Sequence, residues 1–154
     1  MTLRARAVAL LARREYSRSE LRAKLTGNRD GSAADLSQVD AVLDELAARG
    51  YLSDARYAQQ FATQKSGAYS KRAIGASLKA RGVEGEVAAD ALAHVEIDDQ
   101  VAMVTLWRRR FRNPPTNDKE KARQVRFLQS RGFSLSAILK LLRDPPLDSS
   151  EGGE

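Results

Sequence analysis

The 154-residue sequence contains no cysteine. That absence excludes disulfide scaffolds, thiol catalysis, iron–sulfur clusters and the usual structural zinc sites, and it suits a reducing compartment. Histidine is nearly missing too. His94 is alone, so no Ser–His–Asp or Cys–His arrangement assembles around it. At the end of an alanine-rich segment it reads as an exposed or capping residue. Ten glycines and four prolines are too few for collagen-like or low-complexity character. Gly75, Gly82 and Gly85 do not form a GxGxxG fingerprint, and no Gly-x-x-x-x-Gly-Lys-Ser/Thr occurs, so no intrinsic ATPase is expected. Long apolar runs are absent as well. The stretch Ala7 to Ala12 is far short of a membrane span. Arg4 and Arg6 before it faintly mimic a secretion signal, but Arg13, Arg14 and Glu15 interrupt it and no small-residue cleavage site follows. The expectation is a soluble cytoplasmic protein that is not an enzyme and needs no cofactor or metal. Asp98–Asp99 is the best carboxylate pair, with Asp54 as a lone analogue. All three fall at helix beginnings, where capping explains them.

What is present is charge and helical periodicity. Hydrophobic residues make up 42% and charged residues 30%, enough for a packed core. The formal charge of +6 is unevenly spread. Residues 1–52 have a net charge of +2 and residues 53–97 one of +1, whereas 98–143 carry eleven basic against four acidic side chains. The end, Asp144 to Glu154, holds four acids and no base; with its breakers and small polar residues it should be disordered. A concentrated basic region points to an acidic partner, nucleic acid first among them.

No segment alternates apolar and polar over a convincing length, whereas three- and four-residue apolar spacing runs almost throughout. Leu36, Val39, Val42, Leu43 and Leu46 make one stripe. Val101, Val104, Trp107 and Phe111 make another, ended by Asn113-Pro114-Pro115, and Ser134 opens a helix with Leu135, Ile138 and Leu142 inward. Ser17-Arg18-Ser19-Glu20 has the form of a capping box, and Ser70 starts a comparable helix carrying Ile74 and Leu78. Helices are predicted near 2–14, 17–26, 35–49, 53–67, 70–81, 84–94, 97–112, 118–131 and 134–143. The fold class is all-α.

The pattern repeats. Leu78-Lys79-Ala80-Arg81-Gly82-Val83 returns as Leu128-Gln129-Ser130-Arg131-Gly132-Phe133, each an Arg-Gly stop followed by an apolar residue that can fold back on its helix. Leu46-Ala47-Ala48-Arg49-Gly50-Tyr51 uses the same stop at the end of the third helix. The helices therefore group into three tandem three-helix modules at 1–52, 53–96 and 97–143, each too small for a substantial core of its own, with the acidic tail at 144–154. An elongated array is expected.

Tyr57 and Phe61 lie four apart on one helical face and read as core, as does Trp107 in its stripe. Arg56 points elsewhere and is open to a partner. Arg108, Arg109, Arg110 and Arg112 cannot all face inward, and Lys119, Lys121, Arg123 and Arg126 extend the basic region into the next helix. The candidate binding surface comprises Arg56, Lys71, Arg72, Arg108, Arg109, Arg112, Lys119, Lys121, Arg123 and Arg126.

Ser17-Arg18-Ser19-Glu20-Leu21-x-x-Lys24-Leu25, followed by Val42-Leu43-x-x-Leu46-x-x-x-Gly50-Tyr51-Leu52-x-Asp54-x-Arg56-Tyr57-Ala58-x-x-Phe61, resembles the bacterial regulatory family RecX. Ile74-x-x-x-Leu78-x-x-x-Gly82-Val83 and Phe127-Leu128-x-x-Arg131-Gly132-Phe133-Ser134-x-x-x-Ile138 continue the resemblance, which covers roughly residues 3–143. It departs at Ser70, where the family often has glycine, and at the insert Gly27 to Ser32. The resemblance implies that the array is curved, a non-enzymatic monomer that lies in the groove of the RecA–DNA filament, inhibits its ATP hydrolysis and strand exchange, and hinders filament extension. Single- or double-stranded DNA is a further expected partner, bound weakly alone; no membrane is involved. The alternative reading is a free-standing nucleic-acid-binding protein of helix-turn-helix-like modules.

Overall fold

A computed structural model describes residues 1–27 and 35–146. The expected loop geometry of the insert beyond Gly27, and the expected disorder of the tail beyond Pro146, lie outside the described residues. Among the described residues there are nine helices: α1 (Leu3–Arg13), α2 (Arg18–Thr26), α3 (Leu36–Ala48), α4 (Asp54–Lys65), α5 (Lys71–Ala80), α6 (Gly85–His94), α7 (Asp99–Arg110), α8 (Asp118–Ser130) and α9 (Leu135–Arg143). No strand occurs among them, and one isolated bridge pairs Ser66 with Tyr69. The fold is all-α.

Helix starts follow the side chains that can satisfy orphan N–H groups. Ser17 Oγ accepts from the Glu20 N–H at 3.1 Å while Glu20 Oε1 accepts from the Ser17 N–H at 3.1 Å, a complete capping box. Ser70 Oγ accepts from Ala73 N–H, and Ser134 Oγ from Ala137 N–H. The three Arg-Gly stops share one backbone solution. Gly50, Gly82 and Gly132 stand at φ 80°, 84° and 95°, and the N–H groups of Tyr51, Val83 and Phe133 reach back to the carbonyls of Leu46, Leu78 and Leu128. Val83 and Phe133 are buried, as expected of the residue after the stop. At the first stop Tyr51 is exposed and Leu52 fills the core instead.

The first residue of three expected apolar stripes turns out of the core, while the rest of each stripe packs as expected. Leu36 is 51% exposed, Val101 60% and Leu135 48%. Each lies in the first turn of its helix, and the core is built from residues deeper in it. In α7 these are Ala102, Met103, Leu106 and Trp107; in α9, Ile138 and Leu141. In α7 the expected Trp107 is buried and Val104 and Phe111 pack against the same cluster, so Ala102, Met103 and Leu106 broaden the expected face. Tyr57 and Phe61 are buried with ring centroids 6.2 Å apart, and Ile74 and Leu78 are buried on α5.

The chain divides into two compact units: residues 1–64 with 75–95, and residues 65–74 with 96–154. The first has a core of Ala7, Tyr16, Leu21, Leu25, Val39, Leu43, Leu46 and Leu52. In the second, Met103, Leu106, Trp107, Leu128, Phe133, Ile138 and Leu141 pack together. The division cuts α5 because its first turn is bonded to the later helices. Ser70 N–H donates to the Arg131 carbonyl at 2.8 Å, and Lys71 N–H to Asp99 Oδ1 at 2.9 Å. Within the first unit the start of α2 is held the same way: Ser17 Oγ donates to the Arg81 carbonyl at 2.7 Å, and Arg18 N–H to Asp54 Oδ1 at 2.7 Å. Asp54 and Asp99 thus serve the N-termini of earlier helices, beyond the local capping expected of them.

A Cβ at Gly82 would overlap the side chain of Ser19, whereas one at Gly50 meets nothing within 4 Å. Both positions need a left-handed backbone, which costs an L-residue about 1–2 kcal/mol. Gly50→Ala should therefore destabilise the protein by about that amount, and Gly82→Ala by clearly more, in matched chemical denaturation curves. Equal losses would mean that the approach of the second stop to α2 is loose.

Candidate functional site

In the first unit the basic side chains are largely spoken for. Arg4 pairs with Glu45, Arg18 with Asp44 and Arg22 with Asp40 at 2.6–2.9 Å, lacing α1 and α2 to the acidic face of α3. The Arg22 hydrogen bond holds the Asp40 carboxyl below its ordinary range, and Asp40 raises Arg22. Arg56 belongs to this class. Its Nε binds Glu15, Nη1 donates to the Gly50 carbonyl at 3.0 Å and Nη2 to the Tyr51 carbonyl at 3.2 Å. It brackets the α1–α2 corner to the first Arg-Gly stop, so its donors are engaged within the chain.

The second unit differs. Arg109, Arg112, Lys119, Lys121, Arg123 and Arg126 are exposed, and none pairs with a described acid within 4.0 Å. Lys119, Arg123 and Arg126 follow at steps of four and three, one face of α8. Arg109 and Arg112 stand where α7 ends. Lys121 is turned away, into a cleft of about 570 Å³ shared with Lys140 and Arg143 of α9. Arg108 donates to the Pro146 carbonyl at 3.2 Å, where the described chain ends. Lys71 and Arg72 are exposed on the first turn of α5, and Arg72 lines a separate cleft with Asp99 and Gln100. The ten candidates therefore do not form one patch. Arg109, Arg112, Lys119, Arg123 and Arg126 lie on two consecutive helices, while Arg56 lies in the other unit.

Backbone geometry fixes the corner between those helices. Arg112 has φ 66°, the left-handed conformation otherwise found here at glycines. Trp107 is buried, and its indole N–H donates to Oε1 of buried Gln124 at 2.8 Å. Gln124 Nε2 donates in turn to the Asn113 carbonyl at 3.2 Å, tying the loop to both helices. Glu120 Oε2 accepts from the Thr116 N–H at 2.8 Å and hydroxyl at 2.9 Å, which hold its carboxyl below the usual range.

Sequence reasoning passed over one feature, a column of alternating guanidinium and aromatic groups. Arg131 Cζ sits 4.8 Å from the Tyr69 ring centroid and 5.3 Å from that of Phe127; Arg110 lies 5.0 Å from Phe127, whose edge meets Phe111. Phe127 at one turn from Arg131 was the available signal. Among the described residues no three His, Cys, Asp or Glu side chains are grouped to hold a metal. No helix there is long and apolar enough to cross a membrane.

The geometry defines an all-α protein with a cluster of exposed cations where α7 meets α8. Family models for the second and third three-helix domains of RecX match residues 53–92 and 97–142. A protein of Leptothrix cholodnii named regulatory protein RecX is 39% identical over 143 residues, 93% of this chain and 88% of that one. The regulatory protein RecX of Thermus thermophilus is 40% identical over 137 residues, 89% of this chain and 87% of the relative. The crystal structure of RecX from Lactobacillus salivarius superposes with a TM-score of 0.65 at 19% identity, covering 92% of this chain and 94% of the other. The chain belongs to the RecX family of regulatory proteins.

Replacing Gln124 with Leu leaves the buried Trp107 N–H without a partner and releases the Asn113 carbonyl. It should cost about 1–3 kcal/mol in a denaturation experiment. A stability equal to that of the wild type would show that the indole finds water or another acceptor.

Proposed function

We propose that the protein regulates the RecA recombinase by binding the RecA–DNA filament, inhibiting its ATP hydrolysis and strand exchange and restraining filament growth. The observation that carries this reading, beyond family membership, is the contrast between the two units. Arg4, Arg14, Arg18, Arg22, Arg49 and Arg56 of the first lie within 4.0 Å of its own acids, whereas the cations around the α7–α8 corner stand exposed without such partners. Exposed cations held on rigid helices favour an acidic surface or a phosphate chain. The triplets at 1–52, 53–96 and 97–143 act in this reading as tandem modules of a cytoplasmic monomer, and several weak contacts along them add as avidity when all engage together. DNA within the filament is touched directly by the α7–α8 flank and binds weakly alone. No reaction is catalysed.

Replacing Arg109, Arg112, Lys119 and Arg123 together by Gln should weaken filament binding with little effect on thermal stability, because glutamine retains a helix-compatible stem. Wild-type affinity should fall as salt rises, and the variant should show the shallower dependence. Equal affinities and equal salt slopes would place the docking surface elsewhere, with the exposed Lys71 and Arg72 next to be tested.

A further inference from the structure

The α7–α8 corner encloses a cleft of about 350 Å³ lined by Arg110, Phe111, Asn113, Pro114, Glu120 and Arg123. We propose that this cleft binds one unpaired nucleobase of a single-stranded nucleic acid, stacked on the Arg110 guanidinium, with Glu120 accepting from the base's exocyclic amino group. The proposal rests on the reading that the flank contacts nucleic acid, and it adds a site for the base where that reading assigned only charge to the phosphates.

Arg110 is suited to stacking because it is already positioned. Phe127 supports its guanidinium from one side at 5.0 Å, and Phe127 is itself held by Arg131 and by the edge of Phe111. The Arg110 side chain is otherwise exposed and lines the cleft. A planar, weakly hydrated guanidinium fixed in this manner stacks on flat rings, and unpaired bases are the flat rings that accompany phosphate charge.

Glu120 is the acid that lines the cleft, beside the cations Arg110 and Arg123. Its Oε2 is taken up by Thr116, whereas Oε1 accepts from no described residue. A carboxylate facing the cleft repels phosphate and accepts from an amino group such as cytosine N4. Phosphates are left to Arg109, Arg112 and Lys119, exposed on the flanking surface. Reorganisation on binding is small, since the Trp107–Gln124–Asn113 hydrogen bonds already fix the loop that forms one wall.

The test uses the full chain and three labelled single strands of equal length, oligodeoxycytidylate, oligothymidylate and an abasic phosphodeoxyribose chain, in fluorescence anisotropy at mildly alkaline pH. The wild type should bind the cytosine strand at least about fivefold more tightly than the abasic one, the lower range for one stacked base. Thymine, which lacks the amino group, should fall between them. Arg110→Lys keeps the charge and removes the planar stack, so it should erase the preference for cytosine over abasic while leaving abasic affinity and its salt slope unchanged. An unchanged melting temperature for the variant confirms that the corner is intact. Equal, salt-sensitive binding of all three strands by the wild type would overturn the cleft assignment while leaving phosphate contact standing. A full cytosine preference in Arg110→Lys would also overturn it, thymine binding as tightly as cytosine would remove Glu120's role, and failure to bind any strand would remove nucleic-acid contact along with the site.

Discussion

The structure depends on a close approach between the end of one helix and the beginning of an earlier one. At the close of α5 and again of α8, an Arg-Gly stop turns its backbone outward so that the arginine carbonyl meets a serine at the start of α2 or α5. The glycine is needed twice over. It takes the left-handed backbone that ends the helix, and its missing side chain leaves room for Ser19 in one case and for Ser70 and Ala73 in the other. An aspartate from a third helix, Asp54 or Asp99, completes each junction by accepting the first N–H of the earlier helix. Residues 7–52 and 102–141 each gather a hydrophobic cluster of their own, and these junctions add backbone order to that packing.

The two junctions reach the same end by different hydrogen bonds, and the reason is local. At the first, Glu20 occupies the Ser17 N–H in the capping box, so the hydroxyl donates to Arg81. At the second, the corresponding position is Ala73. With no carboxylate to claim it, the Ser70 N–H is free to donate to Arg131. The small Ala73 also permits the close seat of Gly132, which a glutamate stem would crowd. With order supplied by backbone and small residues, the charged side chains are free for other uses. In the first unit several close ion pairs between helices; at the α7–α8 corner they remain exposed.

Most of this was legible in the sequence. Capping serines, Arg-Gly stops and apolar spacing place all nine described helices within a few residues, because those signals act over one or two turns. The burial of Trp107, Tyr57 and Phe61 follows from their spacing. What was hidden are contacts between residues far apart in the chain. Nothing near Arg56 announces that Glu15, 41 positions earlier, will hold it, so it reads as open when it is a bracket. Asp54 and Asp99 read as local caps, since their true acceptor role involves N–H groups 36 and 28 residues away. Val101 misleads because hydrophobicity alone ranks it above Ala102, which is the buried one of the two. The Arg110–Phe127–Arg131–Tyr69 column joins two helices and a loop, and linear spacing carries its Phe127–Arg131 step alone.

Family membership, an ordered helical scaffold and an exposed basic corner support the proposal of a regulator that acts by occupying a filament. The most direct measurement is steady-state, single-strand-dependent ATP hydrolysis by RecA during titration with the wild-type protein. Binding along the filament predicts inhibition that saturates and that weakens as salt rises, because exposed charge drives the docking. ATP hydrolysis that stays unchanged through the titration, under salt conditions where the protein is folded and monodisperse, would contradict the account.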